Sequence, residues 1–388
     1  MRRAARSRLR LHDLRALRVG TVRLAPRQLP LFEGTGEPAG WKLLDERARG
    51  TKFVELPVRR ILNSSAATGM GFWSVNPYVG CEFGCAYCYA RDTHRYTVER
   101  AHDQGQLSEE AFREFRGEEG WEAFERRIFV KSGAADVLVR TLDPARLAGA
   151  SIVIGTATDP YQPAERRFRL TRAILEALGR HRGLSIGIIT KSPLVVRDID
   201  LLAELGGRHR VSVHMSIATI DAALARRLEP RSPVPAARIR ALARLAAAGV
   251  RTGILIAPII PGVTDGRAAL SGLIAAARSA GASYAVGSPL RLGPAARRRF
   301  LPYLEREFPE LAPRYRRHYA GADHVTRGYH DALDRRLEEL QREHGFDVEE
   351  GLREAEEWRD GPVAATEQQE MFTPPRRARS SRTSRPVP

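Results

Sequence analysis

Short apolar runs rich in β-branched residues alternate in the middle of the chain with longer segments of helical periodicity. The predicted strands are residues 71–79, 151–156, 184–190, 211–217, 251–258 and 283–287. Predicted helices between them include residues 165–178, 198–205, 236–248 and 267–280. Continuously apolar strands that alternate with helices form a parallel sheet covered by helices. Six such strands predict an α/β fold, a closed or partly closed barrel with its active-site groups at the carboxyl ends of the strands.

The remaining segments are assigned by charge and periodicity. The charged stretch 92–130 is predicted to be a helical insertion between the first two strands. Three amphipathic helices are predicted after the last strand, at 296–308, 311–319 and 329–345. Both ends are basic, rich in proline and without sustained periodicity, which predicts mostly extended or disordered chain. We therefore divide the chain into a basic N-terminal arm (1–55), a barrel core (56–290), a helical C-terminal extension (291–360) and a basic tail (361–388).

The charge of the chain has two interpretations. Lysine and arginine number 63 against 46 acidic residues, a net charge of +17. The basic residues are nearly all arginine, as expected from a GC-rich genome, and the excess is concentrated at the two ends. A solvated surface and an attraction to a polyanion both remain open. No apolar run reaches the length of a membrane span, and the N-terminus lacks the apolar stretch of a secretory signal, so a soluble, cytoplasmic protein is expected.

All three cysteines lie within eight consecutive positions, as Cys81, Cys85 and Cys88. An odd number of cysteines, clustered in this way, does not form a disulfide framework. The cluster indicates metal chemistry in a reducing compartment. Three thiolates on one loop can hold three irons of a cubane iron–sulfur cluster. Because the chain has no fourth cysteine, one iron is left to bind a substrate or cofactor. Gly80 and Gly84 allow the loop to fold tightly.

The alternative is a zinc site built from the three cysteines and His94. Zinc sites usually pair their cysteines two residues apart, with a second pair of ligands further along the chain. The spacing here is three residues and then two, and the loop follows a predicted strand. The pattern therefore favours iron–sulfur over zinc.

The motif NPYVGCEFGCAYCYARDTHRY, with Tyr87 directly before the last cysteine, resembles the signature of the radical S-adenosylmethionine (SAM) superfamily. The resemblance implies a [4Fe–4S] cluster on Cys81, Cys85 and Cys88, with SAM bound at the open iron. It also implies reductive cleavage of SAM to methionine and a 5′-deoxyadenosyl radical that abstracts hydrogen from a substrate. Tyr87 would lie near the adenine, and a flavodoxin or ferredoxin would supply the electron.

The resemblance continues through residues 72–289. The further motifs are GTATDPYQPAERRFRLTRAILEAL, ITKSPLVVRDIDLL, HMSIATID, RLEPRSPVPAARI and APIIPGVTD. They are similar to the branch that contains spore photoproduct lyase and its uncharacterised relatives. Each motif falls at the end of a predicted strand. The resemblance implies a partial (β/α)6 barrel with cluster and cofactor at its carboxyl-terminal mouth.

Four residues after the second and third predicted strands are assigned to the cofactor by this resemblance. Thr158 and Asp159 would meet the amino group of SAM, although Asp159 precedes a proline and an ordinary turn role is the alternative. Lys191, with Ser192, would meet its carboxylate. Lys191 is one of four lysines in a chain that otherwise uses arginine, and its alternative is a solvated strand end.

The later strands supply the other predicted contacts. His214 and Ser216 face the same side of one strand and would reach the ribose, with a satisfied core histidine as the alternative. Pro258 and Ile260 would flank the adenine. Glu229 and Arg231 lie in a proline-flanked loop, where substrate contact and a local ion pair remain open.

Spore photoproduct lyase uses a further cysteine to return hydrogen to its substrate, and this chain has none. Tyr161 or Tyr284 could replace that cysteine, or the chemistry differs. Repair of spore photoproduct is therefore not inferred. No catalytic side chain beyond the cluster ligands is assigned.

A short peptide in the N-terminal arm suggests a partner. The sequence QLPLF, from Gln28 to Phe32, resembles the peptide by which bacterial repair and replication proteins bind the sliding clamp. Its alternative is a hydrophobic contact with the barrel.

Two other classes of function are compatible with a clustered set of cysteines in a basic chain. A metal-stabilised nucleic-acid-binding module without radical chemistry predicts bound zinc and salt-sensitive binding through the basic ends. An ordinary SAM methyltransferase is disfavoured, since no glycine-rich loop follows the first strand. The favoured function is a radical SAM enzyme whose substrate is not identified by the sequence, with DNA or a nucleotide as the candidate.

Overall fold

The computed structural model describes residues 42–47, 50–65, 71–118, 121–147 and 150–350. The predicted clamp peptide at Gln28 to Phe32 and the basic tail at 361–388 lie outside the described residues. The strands, in chain order, are β1 (Leu43–Glu46), β2 (Lys52–Glu55), β3 (Leu62–Asn63), β4 (Trp73–Val75), β5 (Tyr78–Val79), β6 (Arg127–Val130), β7 (Ser151–Ile154), β8 (Ser185–Thr190), β9 (Arg210–Ser216), β10 (Thr252–Ile259) and β11 (Ala285–Pro289).

The helices are also given in chain order. The α-helices are α1 (Arg91–Asp103), α2 (Glu109–Arg116), α3 (Ala134–Thr141), α4 (Glu165–Phe168), α5 (Leu170–Leu178), α6 (Ile199–Gly206), α7 (Ala222–Leu228), α8 (Pro235–Ala247), α9 (Arg267–Ser279), α10 (Pro294–Glu307), α11 (Ala312–Tyr319) and α12 (Arg327–Glu343). Short 3-10 helices span Glu122–Glu125, Pro144–Leu147 and Pro193–Asp198. Among the helices that the structure describes, none combines the length and the apolar character needed to cross a bilayer.

The main sheet has seven strands in the order β11-β10-β9-β8-β7-β4-β3. The pairs from β4 through β7, β8, β9 and β10 to β11 are all parallel, and β3 joins the edge as the antiparallel partner of β4. Helices connect the parallel strands. The predicted α/β fold with six parallel barrel strands is therefore confirmed. Within the described residues β11 and β3 are the two edges, so the barrel is partial.

Successive side chains of each barrel strand point alternately towards the surrounding helices and towards the inside of the barrel. Ile186 and Ile188 of β8 and Val213 of β9 belong to one buried cluster with the helix residues Leu175 and Leu242. The residues between them therefore face the inside of the barrel. Burial of this helix-facing set supplies the main stabilisation of the fold, because removal of apolar surface from water is the dominant favourable contribution to folding.

A second sheet of four strands, in the order β1-β2-β6-β5, was not predicted from the sequence. It is called the small sheet below. Residues 1–55 were predicted to be mostly extended or disordered, which is wrong for β1 and β2. The stretch 92–130 was predicted to be helical, which holds for α1 and α2 but not for β6. These strands have four residues each, too few to show periodicity. They form because distant segments pair, with Phe53 opposite Ile128 in a parallel ladder.

Two predicted elements are interrupted. The strand predicted at 71–79 is divided into β4 in the main sheet and β5 in the small sheet, so the chain passes from one sheet to the other directly before the cysteines. Between them the side chain of Asn76 donates to Thr156 Oγ1 at 3.0 Å and accepts from the backbone N–H of Ala157 at 2.8 Å. The helix predicted at 165–178 is broken at Arg169, whose φ is 52°.

The C-terminal helices take two positions. Helix α12 lies beside the barrel, where Leu333, Leu337 and Leu340 join the main core. Helix α10 instead packs against the insertion, because Asp92 of α1 accepts hydrogen bonds from the backbone N–H groups of Ala295 and Ala296 at 2.9 and 3.4 Å. An acidic side chain at the first turn satisfies N–H groups that have no partner within the helix.

Candidate active site

The cysteine loop follows β5 and is held by backbone contacts with two distant segments. The N–H of Cys81 donates to the carbonyl of Phe124 at 3.0 Å, and the N–H of Ala86 donates to the carbonyl of Leu228 at 2.9 Å. The guanidinium of buried Arg91 donates to the carbonyl of Cys85 at 3.3 Å. The loop is therefore fixed from both the insertion and the end of α7.

Gly80 is required at the start of this loop. Its φ is +90°, and a Cβ there would lie 2.9 Å from the carbonyl oxygens of both Arg127 and Phe124. Its own carbonyl accepts from Thr158 Oγ1 at 2.6 Å and from Gln162 Nε2 at 3.1 Å. The hydroxyl of Thr158, predicted to contact the cofactor, thus holds the cysteine loop. Gln162 has the same role and lies four residues after Thr158, in the same motif, although the sequence did not single it out.

The three thiols pack among apolar side chains, with the charged groups of Glu229 and Lys191 close to Cys85. Cys81 and Cys85 are buried, Cys88 is partly buried, and none forms a disulfide. Burial raises the pKa of Cys85 to about 12, and it also raises the pKa of Cys81 and of Cys88. Deprotonation of these thiols therefore needs a cation, which is what a metal supplies. Among the described residues, no three His, Cys, Asp or Glu side chains form a set that could hold one metal ion.

The structure does not bring His94 to the cysteines as a fourth zinc ligand. Its ring packs among Trp121, Phe124 and Phe129, and its Nε2 is 3.2 Å from the carbonyl oxygen of Arg127. Burial lowers its pKa to about 3, so the ring is neutral. His94 supports the packing of α1 on the small sheet.

Lys191 and Ser216 meet at the carboxyl ends of neighbouring strands. Lys191 Nζ donates to Ser216 Oγ at 2.9 Å, and the ammonium lies 5.8 Å from the centre of the Tyr87 ring. Burial opposes the charged form, but the neighbouring acidic groups, above all the carboxylate of Glu229, outweigh it and raise the pKa of Lys191. The structure thus brings together three residues that were assigned to the cofactor from separate motifs.

Glu229 lies at the hydroxyl end of Tyr87 as part of a buried ion pair. Its carboxylate accepts from the Tyr87 hydroxyl and from the guanidinium of Arg238, which is itself buried. Arg238 also donates to the carbonyl of Ser216 at 3.0 Å. Arg238 was not singled out from the sequence, although it lies in the same motif as Glu229. The two alternatives for Glu229 are therefore resolved in favour of an internal ion pair.

Arg231 likewise forms an ion pair within the protein. Its guanidinium contacts Glu125, which also binds Arg91. Burial opposes the charge of Glu125, but the two arginines lower the pKa of its carboxyl. The side chain of Arg231 is still 37% exposed, so it borders solvent at the cysteine loop.

Asp159 organises the end of the third barrel strand. Its carboxylate accepts from Thr190 Oγ1 at 2.7 Å, from the N–H of Lys191 at 2.7 Å and from the N–H of Tyr161 at 2.9 Å. Burial raises its pKa above the usual value despite these donors. Ser192 caps the 3-10 helix Pro193–Asp198 by accepting from the N–H of Leu194 at 3.2 Å. Asp159 and Ser192 thus both have local structural partners.

His214 is a satisfied core histidine. Its Nε2 is 3.1 Å from Ser212 Oγ and its Nδ1 is 3.0 Å from the Tyr284 hydroxyl. Burial lowers its pKa to about 3. The structure therefore favours the alternative over a ribose contact, because both ring nitrogens are engaged inside the barrel. Ser216 lies two residues further towards the mouth, and its hydroxyl is 3.3 Å from the carbonyl oxygen of Ala257, next to the partly buried Pro258.

The two tyrosines considered for hydrogen return, Tyr161 and Tyr284, are both fully buried. Tyr89, directly after Cys88, was missed by the sequence reasoning and has an exposed fraction of 46%. Its hydroxyl donates to the carbonyl of Thr156. Its position beside the last cysteine is the signal that could have identified it.

The fold and the site define a partial α/β barrel protein with a three-cysteine loop at the carboxyl ends of its strands. The sequence model of the radical SAM superfamily matches residues 75–270, and the chain belongs to this superfamily. It is 33% identical over 293 residues to the uncharacterized protein Rv2578c of Mycobacterium tuberculosis, covering 75% of this chain and 80% of that protein. It is 28% identical over 214 residues to the uncharacterized protein MJ0683 of Methanocaldococcus jannaschii, covering 55% and 70%.

The fold is that of spore photoproduct lyase. The structure of that enzyme complexed with dinucleoside spore photoproduct matches with a TM-score of 0.52 and 16% identity, covering 75% of this chain and 79% of that one. A mutant of the same enzyme with bound AdoMet and the dinucleoside matches with a TM-score of 0.51. The expected relation to a radical SAM enzyme of this branch is thereby confirmed at the level of fold.

Proposed function

We propose that this radical SAM protein holds a [4Fe–4S] cluster on Cys81, Cys85 and Cys88 and cleaves SAM reductively. When bound, the cluster supplies the electron that cleaves SAM to methionine and a 5′-deoxyadenosyl radical. The observation that carries the proposal is the set of three disulfide-free, buried or partly buried thiols on one loop, with no fourth cysteine in the chain. Soft thiolate ligands favour iron–sulfur clusters, and three of them leave one iron open.

The side chains around the loop are suited to bind the cofactor. Lys191 presents an ammonium to a carboxylate, and Ser216 presents a hydroxyl beside it. The Tyr87 ring is held in place by its hydroxyl contact with Glu229, so its face can pack against an adenine. Thr158, Asp159 and Ser192 support this set indirectly, through the loop and the strand ends. Pro258 completes the rim on the β10 side.

We propose DNA or a nucleotide as the substrate. The solved relative in the comparison was bound to a dinucleoside, and this chain carries a net charge of +17. Positively charged side chains attract the phosphates of a nucleic acid independently of its base sequence. A flavodoxin or ferredoxin is proposed as the electron donor. Tyr89 is proposed as the tyrosine that faces the bound substrate, because it is exposed whereas Tyr87, Tyr161 and Tyr284 are buried.

Anaerobic reconstitution tests the proposal. Iron and sulfide are counted first, and dithionite and SAM are then added while 5′-deoxyadenosine and methionine are followed by chromatography. About four irons per chain, with cleavage lost in the Cys81/Cys85/Cys88→Ala variant, would support it. Zinc in place of iron, or a cluster that never cleaves SAM, would reject it and favour a metal-stabilised nucleic-acid-binding module.

A further inference from the structure

A cavity of about 390 Å³ lies next to the mouth of the barrel, outside the residues discussed so far. It is bounded on one side by Pro261 and Gly262, which directly follow β10, and on the other by α11 and the start of α12. The carboxyl ends of barrel strands are where substrates bind in such folds. The volume is within the range of about 300–1,000 Å³ that small-molecule sites occupy.

One wall of the cavity is aromatic. Tyr315, Tyr319 and Tyr329 line it, and the rings of Tyr315 and Tyr319 are stacked with centres 5.6 Å apart. Their hydroxyls are already engaged: Tyr315 donates to the carbonyl of Pro261 at 2.7 Å, and Tyr329 donates to Asp265 at 2.8 Å. These contacts hold the rings in place. Tyr315 and Tyr319 are only 3% and 2% exposed, so the aromatic surface that the wall offers to a ligand is mainly that of the partly buried Tyr329.

The same wall connects with the cysteine loop. Tyr315 and Tyr319 belong to one buried apolar cluster with Cys81, Cys85 and Tyr87. The hydroxyl of Tyr319 donates to the carbonyl of Leu290, at the end of the last barrel strand, at 3.2 Å. A ligand in the cavity would therefore lie against the outer side of the residues that surround the proposed active site.

The rim of the cavity is positively charged. Arg314 and Arg317 line it, are exposed, and have no carboxylate within ion-pair distance in the part of the chain that the structure describes. Arg316, on the same helix, is instead paired with Glu305. The acidic group at the cavity, Asp265, is occupied by Tyr329 and by the N–H of Gly262 at 2.8 Å. Two guanidinium groups thus remain for an anionic ligand.

We propose that this cavity binds one nucleotide of the substrate, with the base on the tyrosine wall and the phosphate on Arg314 and Arg317. Bases stack on aromatic side chains, and the planar guanidinium matches phosphate geometry with paired hydrogen bonds. The inference rests on the proposed function, because it gives a nucleic-acid or nucleotide substrate a place to bind. It adds a second contact region outside the barrel interior.

Binding is measured on the reconstituted protein without reductant, so that the result is independent of SAM cleavage. The probes are a fluorescent single-stranded oligothymidylate, followed by anisotropy, and thymidine monophosphate as competitor. Arg314→Glu and Arg317→Glu should each weaken binding about tenfold. Each should also reduce the slope of log affinity against log salt concentration by about one. Arg316→Glu, with the same change of charge on the same helix, should change the affinity by less than about twofold. Equal effects of all three substitutions would overturn the proposal.

Two further measurements separate the cavity from its charged rim. Val325→Trp fills the cavity without a change of charge and should abolish binding, with folding checked by thermal melting. Independently of that variant, an oligonucleotide containing iodouracil should cross-link to Tyr315, Tyr319 or Tyr329 in the parent protein. Cross-links confined to other residues would show a surface contact only and would overturn the proposal. Displacement of the oligonucleotide by micromolar thymidine monophosphate would identify a free nucleotide as the ligand, and displacement only at much higher concentration would identify a strand.

Discussion

Arg238 and Glu229 form an ion pair whose side chains are only 1% and 2% exposed. The pair connects the cysteine loop with the barrel, since Glu229 accepts from Tyr87 and Arg238 donates to the carbonyl of Ser216. Charges removed from water in this way are stable only while both partners are present.

The Glu229→Gln substitution should destabilise the protein strongly. It keeps the shape of the side chain but leaves the charge of Arg238 buried without a partner, which costs about 3–5 kcal/mol. Urea unfolding measures the loss. The matched control is Glu339→Gln, which removes one partner of the exposed pair with Arg267 and should cost about 0–1 kcal/mol. Similar losses in both variants would show that the buried pair has no special role.

Stability should fall steeply with acid between pH 6 and pH 4. Burial lowers the pKa of His94 and of His214 to about 3, while an unfolded histidine titrates near 6.5. Between these values the unfolded chain binds one more proton per histidine, so stability drops by about 1.4 kcal/mol per pH unit for each. The free energy of unfolding at several pH values, in the parent and in His214→Gln, checks this. An unchanged slope in the variant would contradict a neutral His214.

Lys191→Met should weaken SAM binding without loss of iron. The substitution removes the ammonium that Ser216 orients, and a lost charged contact corresponds to about tenfold to hundredfold in affinity. Equilibrium dialysis of labelled SAM against the reconstituted protein measures it. The control is Lys52→Met, which removes a lysine of the strand β2 that is paired with Glu114 of the helix α2, away from the cysteine loop. Equal affinity in both variants would remove Lys191 from the cofactor site.

Gly80→Ala should prevent formation of the cysteine loop. The new Cβ meets two backbone oxygens, and the positive φ adds strain, so the cost is about 2–6 kcal/mol. Iron content after reconstitution, together with thermal melting, measures the effect. Gly105 also has a positive φ, but nothing lies within 4 Å of its added Cβ. Gly105→Ala should therefore cost only about 1–2 kcal/mol and retain its iron.

The peptide from Gln28 to Phe32 remains a predicted clamp ligand. The apolar side chains of a leucine and a phenylalanine, such as Leu31 and Phe32, can fill an apolar groove, and a glutamine such as Gln28 can form hydrogen bonds at its edge. Pull-down with purified sliding clamp should therefore succeed with the parent chain and fail after Leu31→Ala and Phe32→Ala. Absence of binding in the parent, or equal binding in the variant, would reject this partner.

Local features of the sequence were sufficient to predict the barrel and the cysteine loop. The periodicity of β8, β9 and α8 is visible in each segment alone, because burial on one face imposes a regular spacing. The spacing of the three cysteines likewise predicts iron–sulfur ligation without reference to other residues. The resemblance added the residues around the mouth, of which Lys191, Ser216 and Tyr87 are found together.

The small sheet and the partners of the buried polar side chains depend on contacts between segments that are distant in the sequence. The ladder of β2 with β6 has no local signal, since four-residue strands are stable only when they are paired. The burial of Glu229 against Arg238, and of His214 against Tyr284, depends on which side chains lie opposite each other inside the barrel. A sequence shows which groups can ionise or donate, whereas only the tertiary structure determines whether their partners are protein, solvent or ligand.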